Sequence, residues 1–189
     1  MTQILEALRS RPDDETTFRP TATGSFDRGP NRLQNWISDP DFPPERDRYH
    51  LYVNYGCGWA HQVLLVCSLR KIPISKTHVC LYRDRENPRG TPEYSGYQIF
   101  NDECGCKHMR DVYNAFDGCY GSNQLTIPVL FDKRQRRAVS NDPAQILLML
   151  DFFAEQLGGT GDIHSLYPLS LQKPIEAANE IVYPCINNG

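Results

Sequence analysis

An α/β domain, with a four-stranded mixed sheet flanked by helices, is predicted by three observations. Apolar runs of strand length and composition alternate with helical periodicities in the order β-α-β-α-β-β-α. Cys57 stands where the first of those strands meets the first core helix. Pro128 lies inside a later apolar strand, where it cannot donate to a ladder and therefore marks an edge, a bulge or a cis turn.

The elements follow in order. Residues 1–48 read as an N-terminal extension, with a short helix at Ile4 to Arg9 and then a Pro-, Asp- and Arg-rich stretch without sustained periodicity. Trp36, Ile37 and Phe42 are its expected anchors. Residues 49–158 carry the domain. "YHLYVNY" has the aromatic and β-branched content of a strand, and "WAHQVLLVCSLRK" places Ala60, Leu64, Leu65 and Leu69 on one helical face. "KTHVCLY" is the second strand, followed by a polar loop from Arg83 to Lys107 and a helix near Met109 to Phe116. "LTIPVLFD" and "RAVS" form a hairpin about the charged turn "DKRQRR", whose basic run reads as a solvated turn. In "DPAQILLMLDFFAEQL", Asp142 caps a helix, Pro143 suits its first turn, and Gly158-Gly159 stop it. Residues 159–189 read as a linker and the start of a truncated helical domain.

Composition bounds the class. A net charge of −3 and a pI of about 5.9 give no basic field for nucleic acid or an anionic membrane. No run approaches the ~18 apolar residues of a spanning helix, and seven cysteines without framework spacing suit a reducing compartment. A soluble intracellular protein, cytoplasmic by default, is expected. Cys104, Cys106, His108 and Cys119 have neither ribbon nor finger spacing, so no metal site is expected. Cys67 and Cys80 read as core thiols, and His61 as a packing or capping residue.

The element order is that of a thioredoxin-like domain, and Cys57 at a helix start fits it. Free N–H groups and the helix dipole favour an anion there, and cysteines so placed have pKa values lowered to roughly 3.5–7.5. The bond before Pro128 is expected to be cis and to face Cys57.

"YHLYVNYGCGWAHQVLLV" resembles the Cys-Pro-Trp-Ala-His segment of the glutathionyl-hydroquinone reductases, or xi-class glutathione transferases, relatives of the omega class. "GSFDRGPNRLQNWISD", "LTIPVLFDKRQRRAVSNDPAQILLML" and "LYPLSLQKPIEAANEIVYPCINNG" resemble the same family in the same order. The resemblance implies glutathione as substrate and Cys57 as nucleophile: the thiolate attacks the glutathionyl sulfur of a quinone-derived thioether, the hydroquinone leaves, and a second glutathione clears the mixed disulfide. It implies that Ile127, before the cis Pro128, pairs its backbone with the cysteinyl part of glutathione and that Asp142 helps hold the γ-glutamyl amine. Tyr97 corresponds to an aromatic position of the family's Trp-Thr-Phe segment. Trp59 either stacks on the ligand or packs against the extension.

Departures from the family pattern are specific. Its proline after the cysteine is Gly58, its arginine after the histidine is Gln62, a basic residue before its Thr-Val-Pro segment is Gln124, and its Asn-Glu-Ser is Asn141-Asp142-Pro143. Two carboxylate donors are thereby lost, which implies weak glutathione binding. The family also continues past "IVYPCINNG" into a helical domain, so the chain is expected to be either a fragment or a protein that has shed that domain, and in the second case the face left by it would meet a protein partner. Three roles stay open: a glutathione-dependent transferase or reductase, a catalytically degenerate interaction subunit, and a redox-sensing module modified at Cys57.

Overall fold

The computed structural model describes residues 19–20, 26–27, 33, 35–80, 98–114 and 125–187. They fall in two units, Leu33–His164 and a second one formed by the segments on either side. The second unit contains the short antiparallel pair β1 (Arg19–Pro20) and β2 (Phe26–Asp27). It also holds a helix at Gln172–Val182 that runs into a π-helical turn at Tyr183–Asn187.

The Leu33–His164 unit is built on a five-stranded sheet. Its strands are β3 (Tyr49–Val53), β4 (Ser75–Cys80), β5 (Gln98–Ile99), β6 (Val129–Asp132) and β7 (Arg137–Ser140), in the order β5-β4-β3-β6-β7. β3 and β4 are parallel, with His50 opposite Ser75, and the other pairs are antiparallel. Three helices complete the unit: α1 (Gly58–Leu69), α2 (Met109–Asn114) and α3 (Pro143–Phe152). This is the expected mixed sheet of a thioredoxin-like fold, with β5 added to the four strands read from sequence. Two residues after a long polar loop carry no periodic signal, so pairing with Val79 and Cys80 alone makes β5 a strand.

Burial explains the central strands. Every residue of β3 and of β6 is buried, as a strand covered on both faces requires. Trp36, Ile37 and Phe42 are buried too, and the Ile37 N–H donates to Met149 Sδ at 3.1 Å, tying that stretch to α3.

The packed face of α1 differs from the expected one. Ala60, Val63, Val66 and Cys67 are buried, whereas Leu65 and Leu69 are 47% and 45% exposed. The helix is apolar nearly all round, so two registers satisfy the same periodicity. The turn that launches it from β3 selects one of them.

α3 also ends earlier than expected, at Phe152. Turns carry the chain on to Gly158, whose φ of +88° suits glycine. The segment then runs against the end of α1, where the Gly161 N–H donates to Arg70 O at 3.0 Å. A Cβ on Gly161 would lie 2.5 Å from Leu69 O and 2.8 Å from the Arg70 carbonyl carbon. Gly161→Ala is therefore expected to cost about 1–3 kcal/mol, as overpacking does. Thermal denaturation checks this, at roughly 2–4 °C per kcal/mol for a chain of this size. An unchanged midpoint would mean that the turn shifts freely.

Candidate active site

The site begins at the exit of β3. Asn54 is buried, and its side chain works in two directions: Nδ2 donates to Val79 O at 2.7 Å, and Oδ1 accepts from the Gly56 N–H at 2.8 Å. The Cys57 N–H donates to Asn54 O at 3.0 Å. This turn delivers Cys57 to the N-cap of α1, where its carbonyl accepts the first helical hydrogen bond from His61 N–H at 2.9 Å. Asn54 was not among the residues singled out from sequence. An Asn two residues before a Gly at the end of a strand run is the signal that could have found it.

Across from Cys57 lies the segment before β6. The Ile127–Pro128 peptide bond is cis, and Cys57 Sγ is 3.9 Å from Ile127 O. Among the described residues, none accepts a hydrogen bond from the Ile127 N–H. The preceding residue is held firmly. Tyr113 OH donates to Thr126 O at 2.8 Å and accepts from the Thr126 N–H at 3.2 Å. Asn141 Nδ2 lies 3.0 Å from Tyr113 OH and 3.1 Å from Thr126 Oγ1. Tyr113 and Asn141 thus fix the segment that faces the thiol, and neither was named as a site residue from sequence.

Asp142 is the N-cap of α3, its Oδ1 accepting from Ala144 N–H at 2.9 Å and Gln145 N–H at 3.2 Å, with Pro143 at the first helical position. Trp59 is half-buried in the first turn of α1. His61 is exposed, not packed. Tyr97 and Gln124 lie outside the described residues, as does Cys119.

The thiols differ in setting. Burial pushes the Cys67 thiol up to about 12 and the Cys106 thiol up to about 11, and it raises Cys104 as well. These three stay protonated at neutral pH. Cys57 is partly open to solvent.

Gly58, in place of the family's proline, follows the cysteine at the first position of α1. Cys57 has φ −94° and ψ 116°, the extended conformation that a following proline demands. A Cβ at Gly58 would meet nothing within 4 Å. Gly58→Pro is expected to raise stability by about 0.4–1 kcal/mol by restricting the unfolded chain. A lowered denaturation midpoint would refute that fit.

A mixed sheet carrying a cysteine at the start of its first core helix, against the carbonyl that precedes a cis proline, defines a thioredoxin-like domain. Comparison with known proteins makes the assignment narrower. The chain is 32% identical over 179 residues to a glutathione S-transferase omega-like 2 of Schizosaccharomyces pombe, covering 88% of this chain and 54% of that protein. It is 32% identical over 181 residues to the glutathionyl-hydroquinone reductase YqjG of Escherichia coli, covering 88% and 53%. The glutathione-bound structure of YqjG superposes with a TM-score of 0.64 at 30% identity, covering 79% of this chain and 51% of that one. No protein-family model matches the chain. Over 88% of its length the chain is similar to glutathionyl-hydroquinone reductases and omega-like glutathione transferases, and it spans about half the length of the curated relatives it matches. No described helix is long and apolar enough to cross a membrane.

Proposed function

We propose that this chain carries a glutathione-dependent thiol transferase or reductase site of the glutathionyl-hydroquinone reductase type, acting through Cys57. The observation that carries this reading is Cys57 Sγ at 3.9 Å from the carbonyl before cis Pro128, with the Ile127 N–H beside it lacking an acceptor among the described residues. A cysteinyl backbone laid along Ile127 would meet both a donor and an acceptor, with its sulfur next to Cys57. In the first step the Cys57 thiolate bonds to the glutathionyl sulfur of the thioether. The carbon–sulfur electron pair leaves with the aromatic ring, which takes up a proton to become the hydroquinone. A second glutathione thiolate then attacks the mixed disulfide, giving oxidised glutathione and restoring the Cys57 thiolate. Trp59, Tyr97, Gln124, Ile127, Pro128 and Asp142 would line the tripeptide. Within this reading, residues 1–48 are the extension, 49–158 the glutathione domain, and 159–189 the lead into a helical domain.

A second reading has one observation in its favour. Pro143 offers no N–H at the start of α3, and the Asp142 carboxylate is engaged as its cap. A degenerate glutathione site on an interaction subunit would look like this. Intact mass after incubation with oxidised glutathione separates the two readings. One glutathionyl adduct on the wild type and none on Cys57→Ser is the result expected of the thiol transferase. An unmodified wild type, or an adduct that persists in Cys57→Ser, would defeat the Cys57 mechanism.

A further inference from the structure

The fold assembles a second chemically distinctive cluster around β3 and β4. His50 is buried on β3, and Cys104 is buried in the loop after β5. Glu103, beside Cys104, presents a half-exposed carboxylate. One ligand atom from each of these three residues lies within 4.8 Å of the other two. From sequence, Cys104 was grouped with Cys106, His108 and Cys119. The fold instead gives it His50, 54 positions earlier by the numbering, and the adjacent carboxylate.

Hydrogen bonding on the far side of the imidazole decides what its near side can do. Thr77 Oγ1 donates to Asp102 Oδ1 at 3.1 Å, which spends its only proton. His50 Nε2, 3.0 Å from Thr77 Oγ1, must then be the donor in that contact. Asp102 is itself held in place by donors, Tyr52 OH at 3.0 Å and the Cys106 N–H at 2.8 Å. His50 Nδ1 then faces Glu103 Oε1 at 2.9 Å and Ser75 Oγ at 2.8 Å. Either a proton on Nδ1 or a metal ion in its place would join the imidazole to the carboxylate. An imidazole oriented through its other nitrogen by a hydroxyl and a carboxylate is also how metal-binding histidines are prepared.

We propose that His50 Nδ1, a Glu103 carboxylate oxygen and Cys104 Sγ bind one thiophilic divalent cation of the Zn²⁺ class. Imidazole, carboxylate and thiolate together suit a borderline-soft ion with tetrahedral preference, and three protein ligands leave a fourth position for water. Binding requires Cys104 to give up its proton to solvent. The ion would pin the loop that follows β5 to the sheet. Ser75 Oγ, 2.8 Å from His50 Nδ1, also contacts Glu103 Oε1. Lys133 Nζ is 3.1 Å from Glu103 Oε1 and 3.3 Å from Ser75 Oγ. Its ammonium is the positive charge now nearest the carboxylate, so it competes with the metal.

Cobalt(II), titrated into the full chain under a thiol-free reductant and then displaced by zinc, reads the site directly. One equivalent should give thiolate-to-cobalt charge-transfer absorption, and Cys57→Ser should leave it intact. Cys104→Ser should abolish the band, Glu103→Gln should weaken binding at least tenfold, and Lys133→Ala should tighten it several-fold. A wild type without the band, or a band retained by Cys104→Ser, overturns the proposal. Should Cys104→Ser not fold, the two surface variants decide: wild-type affinity in both Glu103→Gln and Lys133→Ala overturns it equally.

Discussion

Replacing Arg48 by methionine is expected to cost about 3–5 kcal/mol of folding stability, the range for a buried ion pair robbed of one partner. The Asp132 side chain is fully buried and accepts on Oδ2 from Arg48 Nε at 2.8 Å and from Nη2 at 2.6 Å. Its Oδ1 accepts from the N–H groups of Arg134 at 2.8 Å and Gln135 at 3.0 Å, which shapes the β6–β7 turn. Arg48 Nη2 donates further to Asp41 O at 2.7 Å, so one guanidinium joins the residues before β3 to the hairpin. Without it a carboxylate is left in the interior with two amide donors and no counter-charge. At an m-value of about 2 kcal/mol/M, the urea midpoint should fall by about 2 M. Arg48→Met combined with Asp132→Leu should cost much less than the two single changes summed, because the stranded charge disappears. A loss below about 1 kcal/mol in Arg48→Met would show that water reaches Asp132.

Glutathione binding by the wild type is expected to be weak, and Pro143→Ser with Gln124→Arg to tighten it by about a hundredfold or more. Pro143 opens α3 without an N–H, and no hydroxyl stands beside the Asp142 cap at that position. Gln124 offers a neutral amide where the family has a cation, although its place lies outside the described residues. Each charge-assisted hydrogen bond regained is worth about 1.5–3 kcal/mol, and about 1.4 kcal/mol is tenfold in affinity. Serine is tolerable at that position because Asp142 keeps capping Ala144 and Gln145. Calorimetry on both proteins is the measurement. Tight binding by the wild type would mean that other residues hold the tripeptide, which strengthens the enzyme reading. No gain in the double variant would mean a remodelled pocket, which favours the interaction subunit.

The sequence by itself determined what depends on neighbours along the chain. Cys57 at a helix start, Pro128 inside an apolar run, the charged hairpin turn and the Asp142-Pro143 opening of α3 are each written in a few adjacent residues, because N-caps, tight turns and missing N–H groups are local constraints. Element order then made the thioredoxin-like arrangement legible. Tertiary structure alone decided which face of α1 is buried, since Leu64, Leu65 and Leu69 match helical periodicity as well as Ala60, Val63 and Cys67 do. It also decided that Asn54 braces the Cys57 turn through Val79 on the neighbouring strand, and that Tyr113 and Asn141 clamp Thr126 from two separate helix regions. The meeting of His50 with Glu103 and Cys104 follows from the parallel register of β3 and β4 together with the edge pairing of β5, which bring the loop after β5 over the sheet. Such contacts join residues dozens of positions apart, and a single sequence records the partners without the distance between them. Only the closing of the sheet supplies that distance.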